Sequence, residues 1–406
     1  MANVSSSNGL EKRPKLRFPG FDEPWNTALL SDYFVKSTKK NSDGMISNVI
    51  CNSAKQGLIP QREYFDKDIA NSDNTNGYYI IESNDFVYNP RKSADAPYGP
   101  ISSYQYPEAG IVSPLYLCFR AKREINPLYF EWYFRSSTWH RYIYMSGDSG
   151  ARHDRVSIKD DVFFAMPINV PSAKEQERIS LFLDAIERRI ETQRTLVETL
   201  KKYKRGLLNK VFSNINGNIY PTVYLSKVAD FLQGLTYSPS DVSVSGYLVL
   251  RSSNIQNGVL SFDDCVYVDK KVDESLQVKC DDVIMCVRNG SKKLVGKTAL
   301  IPNNMAMTTW GAFMMIIRSK LNDTYIFHYL NSQMFFSQVF KDTGTATINQ
   351  ITKGILNECK LPLPPETARK QISKMLSLFD VKIQNAEMCL TTLVELKKAL
   401  LQQLFI

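Results

Sequence analysis

The sequence predicts an α+β protein, with two globular β-rich domains and two long helices arranged as an internal twofold repeat. Residues 171–212 carry apolar side chains at alternating spacings of four and three, which is the period of a coiled-coil helix. Residues 364–405 align with that stretch without a gap, 193 residues further along the chain. The segments before each helix hold short β-type runs separated by clusters of turn residues.

The two helices have an apolar seam that neither can bury alone, so we expect them to pair with each other. The residues expected to pair them are Ile179, Leu183, Ile186, Ile190, Leu200, Ile372, Leu376, Ile383, Leu393 and Leu400. Leu207 and Val211 continue the first seam, and Lys204 and Lys397 break the two seams at the same heptad position. A polar residue there lowers stability but fixes register. The alternative is that both helices belong to one compact bundle, and the seam leaves the direction of pairing open.

The repeat also divides the chain into domains, since 406 residues exceed one typical hydrophobic core. In the first half, Asp85 and Arg120 match Asp282 and Arg318 of the second half. A helix near 127–138 also has a match, with Tyr129, Tyr133 and Ser136 corresponding to Tyr325, Tyr329 and Ser332. The expected boundaries are a tail and lead-in at 1–26, a globular domain at 27–168, a long helix at 169–216, a second globular domain at 217–363 and a second long helix at 364–406.

Composition limits the classes of partner and the cellular location. The formal net charge of +9 favours a polyanionic partner, nucleic acid before an anionic membrane, although a solvated basic surface is the alternative. No run of 18 apolar residues occurs, so no membrane-spanning helix is expected. Seven scattered cysteines without a C-x-x-C pair predict reduced, buried thiols, no metal site and a cytoplasmic location.

No stretch of the sequence predicts a catalytic site or a bound cofactor. The three histidines, at 140, 153 and 328, lie in no nucleophile motif and no H-E-x-x-H pattern. The segment 290–298 resembles a phosphate-binding loop, but it has five residues between its glycines and is followed by a strand-like run that ends in proline. Residues 89–91 lack the second proline and the aromatic residue of an adenine-methyltransferase motif.

Basic, polar loops at repeat-equivalent positions predict a nucleic-acid interface. One pair, 89–98 and 288–293, follows a matching strand, and another, 150–155 and 343–350, precedes an apolar strand that leads into a long helix. Lys and Arg contact phosphates, whereas Asn, Arg, Ser and Thr reach base edges. The residues expected to bind are Asn89, Arg91, Lys92, Tyr98, Arg152, Arg155, Asn289, Ser291, Lys292, Lys293, Thr345, Thr347 and Asn349. For each of them, the alternative is an exposed loop side chain without a ligand.

Five segments carry a family resemblance that covers nearly the whole chain. They are LRFPGF with PW at 16–25, DFVYNPR at 85–91, PSAKEQERI at 171–179, TGTATINQI at 343–351 and LPLP at 361–364. In this order, and with the 193-residue repeat, they resemble the specificity (S) subunits of type I restriction–modification systems. The second helix departs from the usual Glu-Gln entry, because Arg369, Lys370 and Gln371 stand there.

The resemblance implies an antiparallel helix pair and two target-recognition domains, each reading one half of a bipartite site in double-stranded DNA. The helices would carry two methyltransferase (modification) subunits, and restriction subunits would join through that complex. S-adenosylmethionine, ATP and Mg²⁺ would then belong to the partner subunits, and this chain would be non-catalytic. The two globular domains share their order but little identity, so we expect unlike half-sites. Lengthening both helices by whole heptads should change the spacer and leave the half-sites unaltered.

Two functions of other classes remain as alternatives to this interpretation. The first is a structural coiled-coil adaptor that binds proteins and not DNA, against which the net charge and the paired basic loops speak. The second is an active nuclease or methyltransferase, which the missing motifs disfavour.

Overall fold

The computed structural model describes residues 3–4, 12–64, 75–147, 154–213, 220–303, 305–340 and 350–406. The chain forms two compact units. Unit 1 comprises Met1–Thr192 and Cys389–Ile406, and unit 2 comprises Gln193–Met388. Each unit therefore contains part of both long helices. No described helix is both long enough and apolar enough to cross a membrane.

The first half of the chain alternates short strands with short helices before the first long helix. Its strands are β1 (Asn3–Val4), β2 (Leu16–Arg17), β3 (Asn26–Leu29), β4 (Phe34–Lys36), β5 (Ile50–Ser53), β6 (Gly57–Pro60), β7 (Tyr79–Ile81), β8 (Phe86–Tyr88), β9 (Ile101–Ser103), β10 (Gly110–Val112), β11 (Leu117–Ala121) and β12 (Pro167–Val170). Its helices are α1 (Leu30–Tyr33), α2 (Gln61–Tyr64), α3 (Pro127–Arg135), α4 (His140–Ser146), α5 (Asp160–Phe164) and α6 (Ala173–Phe212).

The core of unit 1 forms between α3 and an antiparallel sheet of order β4–β11–β8–β9. Phe34, Phe86, Phe119 and Phe130 are buried there with ring centroids about 5 to 6 Å apart, mostly edge to face, as aromatic quadrupoles favour. The side chain of Asn126 accepts a hydrogen bond from the backbone N–H of Tyr129 and so caps α3. The predicted helix near 127–138 is therefore confirmed.

The second half repeats the outline of this order of elements, with differences between its first and last strands, and ends in the second long helix. Its strands are β13 (Thr222–Tyr224), β14 (Ala229–Gln233), β15 (Val242–Ser243), β16 (Tyr247–Leu250), β17 (Ile255–Gln256), β18 (Val259–Leu260), β19 (Tyr267–Val268), β20 (Val283–Cys286), β21 (Thr298–Leu300), β22 (Thr308–Trp310), β23 (Met314–Ser319) and β24 (Lys360–Pro362). Its helices are α7 (Leu225–Val228), α8 (Tyr325–Leu330), α9 (Gln333–Val339), α10 (Lys353–Glu358) and α11 (Glu366–Leu404), with 3₁₀ turns at Pro239–Asp241, Ser252–Asn254, Glu274–Leu276 and Lys292–Leu294.

The internal repeat predicted from the sequence is confirmed by topology and by one ion pair with a buried aspartate in each unit. The sheet β14–β23–β20–β21 of unit 2 has the strand order of β4–β11–β8–β9 in unit 1. Asp85 accepts two hydrogen bonds from Arg120, at 2.6 and 2.7 Å, and Asp282 accepts two from Arg318, at 2.8 and 2.7 Å. Unit 2 has in addition a second four-stranded sheet, β15–β19–β16–β22.

The long helices run antiparallel within each unit, as the resemblance implied. In unit 2, Lys201 forms an ion pair with Glu387 and Lys204 with Asp380, and further along α6 the side chain of Phe212 shares a core with Leu376. Later residues of α6 thus meet earlier residues of α11. In unit 1, Lys397 donates to Glu187 at 2.7 Å, so each lysine in the seam has a carboxylate partner on the other helix.

The two long helices begin with arginine–carboxylate pairs of opposite polarity. At the start of α6, Glu175 accepts two hydrogen bonds from Arg17 of the lead-in, at 2.7 and 2.8 Å, and the backbone N–H of Glu175 donates to Ser172 Oγ. At the start of α11, Arg369 supplies the cation and donates to Asp323 at 2.6 Å. This exchange explains why the second helix lacks the Glu-Gln entry.

The seven cysteines are unpaired, but the prediction that they are buried thiols is only partly correct. Cys118, Cys286 and Cys359 are buried, whereas Cys280 is exposed and the others are half-buried. The reason is position, because the buried three lie in or beside strands β11, β20 and β24 and pack in hydrophobic core clusters. Burial raises the pKa of the Cys118 thiol to about 12, which keeps it protonated and unreactive.

Candidate nucleic-acid interface

In unit 1, the two loops that the sequence marked as basic lie side by side. Arg91 and Arg155 are paired in an antiparallel bridge. The backbone N–H of Lys92 donates to the carbonyl of Asp154 at 2.8 Å, and that of Val156 donates to the carbonyl of Pro90 at 2.9 Å. These main-chain bonds hold the basic side chains of both loops at one place on the surface.

A cleft of 510 Å³ adjoins this pair of loops in unit 1. Asn89, Arg91, Lys92 and Arg155 line it, together with Lys55, which the sequence analysis did not select. Asp95 is the single acidic side chain among its described lining residues, so the cleft is electropositive. The Nε atom of Arg155 is buried and has no hydrogen-bond partner among the described residues. The cleft therefore offers donors to an anionic ligand.

Asn89 lies in this cleft, but its amide is engaged within the protein. Its Nδ2 donates to the carbonyl of Asn52 at 3.2 Å, and its Oδ1 accepts from the backbone N–H of Arg91 at 3.1 Å. The turn ending at Gly99 lies against the same residue. Gly99 has a φ of +82°, and a Cβ there would stand 2.1 Å from the Asn89 carbonyl oxygen. Asn89 therefore orients the loop that carries Arg91 and Lys92.

Tyr98 does not line the cleft with the other predicted residues. Its carbonyl accepts a hydrogen bond from the hydroxyl of Tyr88 at 2.8 Å, and its half-buried ring packs on His140 with centroids 4.9 Å apart. Burial lowers the pKa of His140, so the ring next to Tyr98 is neutral at physiological pH. The geometry gives Tyr98 a packing contact with α4.

Unit 2 builds its equivalent loop by the same hydrogen bonds. The Nδ2 atom of Asn289 donates to Ser252 Oγ at 3.2 Å, and its Oδ1 accepts from the backbone N–H of Ser291 at 3.0 Å. This turn presents Ser291, Lys292 and Lys293 as exposed side chains. A short 3₁₀ turn at Lys292–Leu294 and then strand β21 follow it, so the segment 290–298 does not lead into an α-helix as a phosphate-binding loop does.

The second predicted loop of unit 2 also meets the first at its described end. Arg288 and Gln350 form an antiparallel bridge, and the backbone N–H of Ile351 donates to the carbonyl of Val287 at 2.7 Å. This is the counterpart of the Arg91–Arg155 bridge in unit 1. Four of the predicted binding residues, Arg152, Thr345, Thr347 and Asn349, lie outside the described residues.

A cleft of 730 Å³ in unit 2 contains side chains that the sequence analysis missed. Its lining includes Tyr237, Arg251, Ser253 and Phe313. The guanidinium of Arg288 lies over the Phe313 ring, 5.4 Å from its centroid. The Nε of Arg251 and the Oγ of Ser253 are buried without a hydrogen-bond partner among the described residues. Only the repeat offset could have drawn attention to Phe313, because nothing near it in the sequence forms a motif.

The residues predicted to pair the helices are all buried or half-buried. The buried ones are Ile179, Leu183, Ile190, Leu376, Ile383 and Leu400, and the half-buried ones are Ile186, Leu200, Ile372 and Leu393. At the end of α6, however, Leu208 and Phe212 are buried, and the expected Leu207 and Val211 are only half-buried. An α-helix of 3.6 residues per turn drifts away from a 3.5-residue seam, and here the last turns of α6 face the core of unit 2.

Among the described residues, no group of three or more His, Cys, Asp or Glu side chains could hold a metal ion. His328 is fully buried, and that burial together with the charge of Lys204 lowers its pKa to about 3. Such a group stays neutral at physiological pH and cannot serve as a base there in exchange with solvent. The candidate interface therefore consists of the basic loops and the clefts beside them.

Comparison with known proteins identifies a matching domain family and related sequences. Residues 222–392 match the family described as "Type I restriction modification DNA specificity domain". The chain is 26% identical over 188 residues to the type I restriction enzyme StySPI specificity subunit of Salmonella potsdam, and 27% identical over 172 residues to the EcoKI specificity subunit of Escherichia coli K12. These matches cover 44% and 40% of this chain, and 40% and 36% of the relatives, less than half of their length.

Solved structures extend the likeness of fold to almost the whole chain. A chain from a study of complex assembly and conformational transition of the type I R-M system has a TM-score of 0.60 at 17% identity, covering 95% of this chain and 98% of that one. The S subunit from M. genitalium has a TM-score of 0.57 at 14% identity, covering 97% and 99%. Residues 222–392 are thus similar to a type I restriction–modification specificity domain, and the chain shares the fold of the solved S subunit from M. genitalium.

Proposed function

We propose that this chain is the non-catalytic DNA-recognition subunit of a type I restriction–modification complex and reads a bipartite site. The observation that carries the proposal is the repeated basic loop. Arg91 and Lys92 follow β8, Arg288 and Lys292 follow β20, and each loop is bridged to a second segment of chain. Arg and Lys on rigidly held loops supply phosphate contacts and can donate to guanine in the major groove. Each globular domain would read one half-site.

The two half-sites should differ, so that the whole site is asymmetric. Unit 2 has a second four-stranded sheet, and its cleft holds Tyr237 and Phe313, whereas the cleft of unit 1 holds Lys55 and Arg155. Surfaces of different shape and charge select different base sequences. Identical domains would favour a palindrome.

The long helices are the proposed docking surface for two modification subunits. Tyr203 on α6 and Leu396 on α11 occupy repeat-equivalent positions, 193 residues apart, and are 64% and 47% exposed. Large apolar side chains exposed on helix surfaces are typical of protein interfaces. The presence of an exposed apolar side chain at this position in both repeats supports two copies of one partner. Methyl transfer, ATP-driven steps and the sites for S-adenosylmethionine, ATP and Mg²⁺ would lie in the partner subunits.

The proposal can be tested with the chain purified together with its modification subunits. We expect the complex to bind a random 40-base-pair duplex in a gel-shift assay, with an affinity that falls steeply as salt rises, because bound phosphates release counterions. The chain alone, incubated with DNA and a labelled methyl donor, should transfer no methyl group. Binding that ignores salt, or methyl transfer by the chain alone, contradicts the proposal.

A further inference from the structure

Each unit presents one large apolar side chain at the tip of a tight turn, at the same position in the repeat. In unit 1 the turn is 113–116, closed by the backbone N–H of Tyr116 donating to the carbonyl of Ser113 at 3.0 Å. In unit 2 it is 311–314, closed by Met314 donating to Gly311 at 2.8 Å. The third residues of these turns are Leu115 and Phe313, which are 57% and 59% exposed.

The two positions correspond in structure as well as in number. Leu115 and Phe313 are 198 residues apart, the same offset that relates the ion-pair residues Arg120 and Arg318. Each turn leads directly into the strand that occupies the second place in its sheet, β11 in unit 1 and β23 in unit 2. The apolar character is therefore repeated although the residue type has changed.

Both side chains lie next to the basic loops of the candidate interface. Leu115 lines the same cleft as Arg91, Lys92 and Arg155. Phe313 is held against the basic loop of unit 2 by its own carbonyl, which accepts hydrogen bonds from the backbone N–H groups of Val287 and Arg288, at 3.0 and 3.2 Å. Phe313 is thus fixed in position by the backbone of the basic loop, and Leu115 shares a cleft with the cations of unit 1.

The neighbouring side chains indicate which kind of ligand Leu115 and Phe313 would contact. An exposed Leu or Phe gains nothing from water, and each has cationic side chains as neighbours, which favour a polyanion over an apolar protein surface. DNA offers both features, since phosphates attract the cations and base faces accept an apolar side chain. Proteins that deform DNA insert Leu or Phe between base steps, and aromatic rings stack on exposed bases.

We propose that Leu115 and Phe313 are the wedge residues of the two recognition surfaces, each inserting between neighbouring base pairs of its half-site. The inference rests on the proposed function, because it needs DNA to be bound at the basic loops. It adds an apolar contact, local unstacking and a preference for steps that deform easily, such as TA and CA. The guanidinium of Arg288 lies over the Phe313 ring and so limits the directions in which the ring can point.

The test uses the full chain assembled with its modification subunits and a duplex carrying the site found by methylation mapping. The adenine analogue 2-aminopurine, which brightens when it is unstacked, replaces one base at a time across both half-sites. We expect brightening at one step in each half-site. Phe313→Ala should abolish it in one half-site and Leu115→Ala in the other. Each variant should weaken binding to the site by about 10- to 100-fold, with the salt dependence unchanged.

Phe262→Ala is the matched control, because Phe262 is a second exposed phenylalanine of unit 2 that does not line the Phe313 cleft. It should leave both binding and fluorescence as in the wild type, and Phe313→Leu should retain part of the brightening. Thermal melting of each complex confirms folding. If the Phe313→Ala and Leu115→Ala variants bind the site as tightly as the wild type, the inference is overturned and the proposed function stays intact. Loss of modification subunits by these variants, with DNA binding unchanged, also overturns it. Failure of the wild type to bind any duplex contradicts the proposed function itself.

Discussion

Asp282 is a buried carboxylate of unit 2 that accepts three hydrogen bonds. Two of these bonds come from Arg318, and they raise the pKa of that guanidinium. The third comes from the backbone N–H of Lys279, which donates to Asp282 Oδ2 at 2.8 Å. We expect Asp282→Ala to lower the free energy of unfolding by about 3 kcal/mol, because Arg318 would lose its partner. Asp230→Ala, which removes an exposed partner of Lys320, should change it by less than about 0.5 kcal/mol. Chemical denaturation measures both, and equal effects would contradict the role of Asp282.

His328 should make unit 2 less stable in mild acid. Burial, and secondarily the charge of Lys204, lowers its pKa to about 3, against about 6.5 in the unfolded chain. Between those values the unfolded state binds the proton, so this stability is present above pH 6.5 and is lost as the pH falls towards 3. One histidine accounts for roughly 1.5 kcal/mol between pH 6.5 and 5.

The substitution His328→Gln isolates this contribution, since glutamine keeps a hydrogen-bonding group beside Ser377 but does not titrate. Denaturation midpoints of the wild type should fall between pH 6.5 and 5 by more than those of the variant. An identical pH dependence of the two proteins would show that His328 is already protonated or accessible in the fold.

At the residue scale, the sequence predicted the location of the polar side chains more accurately than the role of each one. Arg91, Lys92 and Arg155 were selected from composition, and the fold brings them to one cleft. Asn89 and Asn289 were selected as base readers, and their amides bond to Asn52 and Ser252, each 37 residues earlier in the chain. A partner that distant cannot be inferred from the loop's own residues.

The coiled-coil helices are the element that the sequence predicts best, because a 3.5-residue period is a local property. The sequence also predicted that Lys204 and Lys397 break the seam. Their partners, Asp380 and Glu187, are again repeat equivalents, but recognising them requires the direction of pairing. Conversely, the sheet β15–β19–β16–β22 was not predicted, since its strands are two to four residues long and β16 pairs with the distant β22.

The ion pair between Glu187 and Lys397 should help to set the register of the helices in unit 1. We expect Lys397→Glu to destabilise the protein by roughly 1–2 kcal/mol, because two carboxylates would face each other across the seam. The double variant Glu187→Lys, Lys397→Glu should recover most of that loss. Thermal or chemical denaturation of the wild type, the two single variants and the double variant gives the coupling energy of the pair. A double variant whose effects merely add would mean that the pair contributes nothing to register.

Exposed apolar positions on the helices predict the stoichiometry of the complex. Tyr203→Asp and Leu396→Asp should each reduce the number of bound modification subunits from two to one, because a charge placed in an apolar contact is desolvated without a partner. Tyr203→Phe should keep both. Mass determination of the purified complexes measures this number. If both Asp variants still bind two modification subunits, the proposal that the helices are the docking surface is contradicted.

At the scale of the whole molecule, the repeat is the property from which the function follows. The 193-residue offset, the matching ion pairs and the matching basic loops predict two reading surfaces of common ancestry. The different clefts and the additional sheet of unit 2 predict that those surfaces read different bases. The bases themselves depend on loop geometry and on DNA shape, which the residue types do not encode one by one.

Methylation mapping of genomic DNA, in cells that contain the modification subunits and either have or lack this chain, tests the central claim most directly. We expect one asymmetric bipartite motif, with a spacer of constant length, that is methylated only when the chain is present. A methylation pattern that is the same with and without the chain would contradict it.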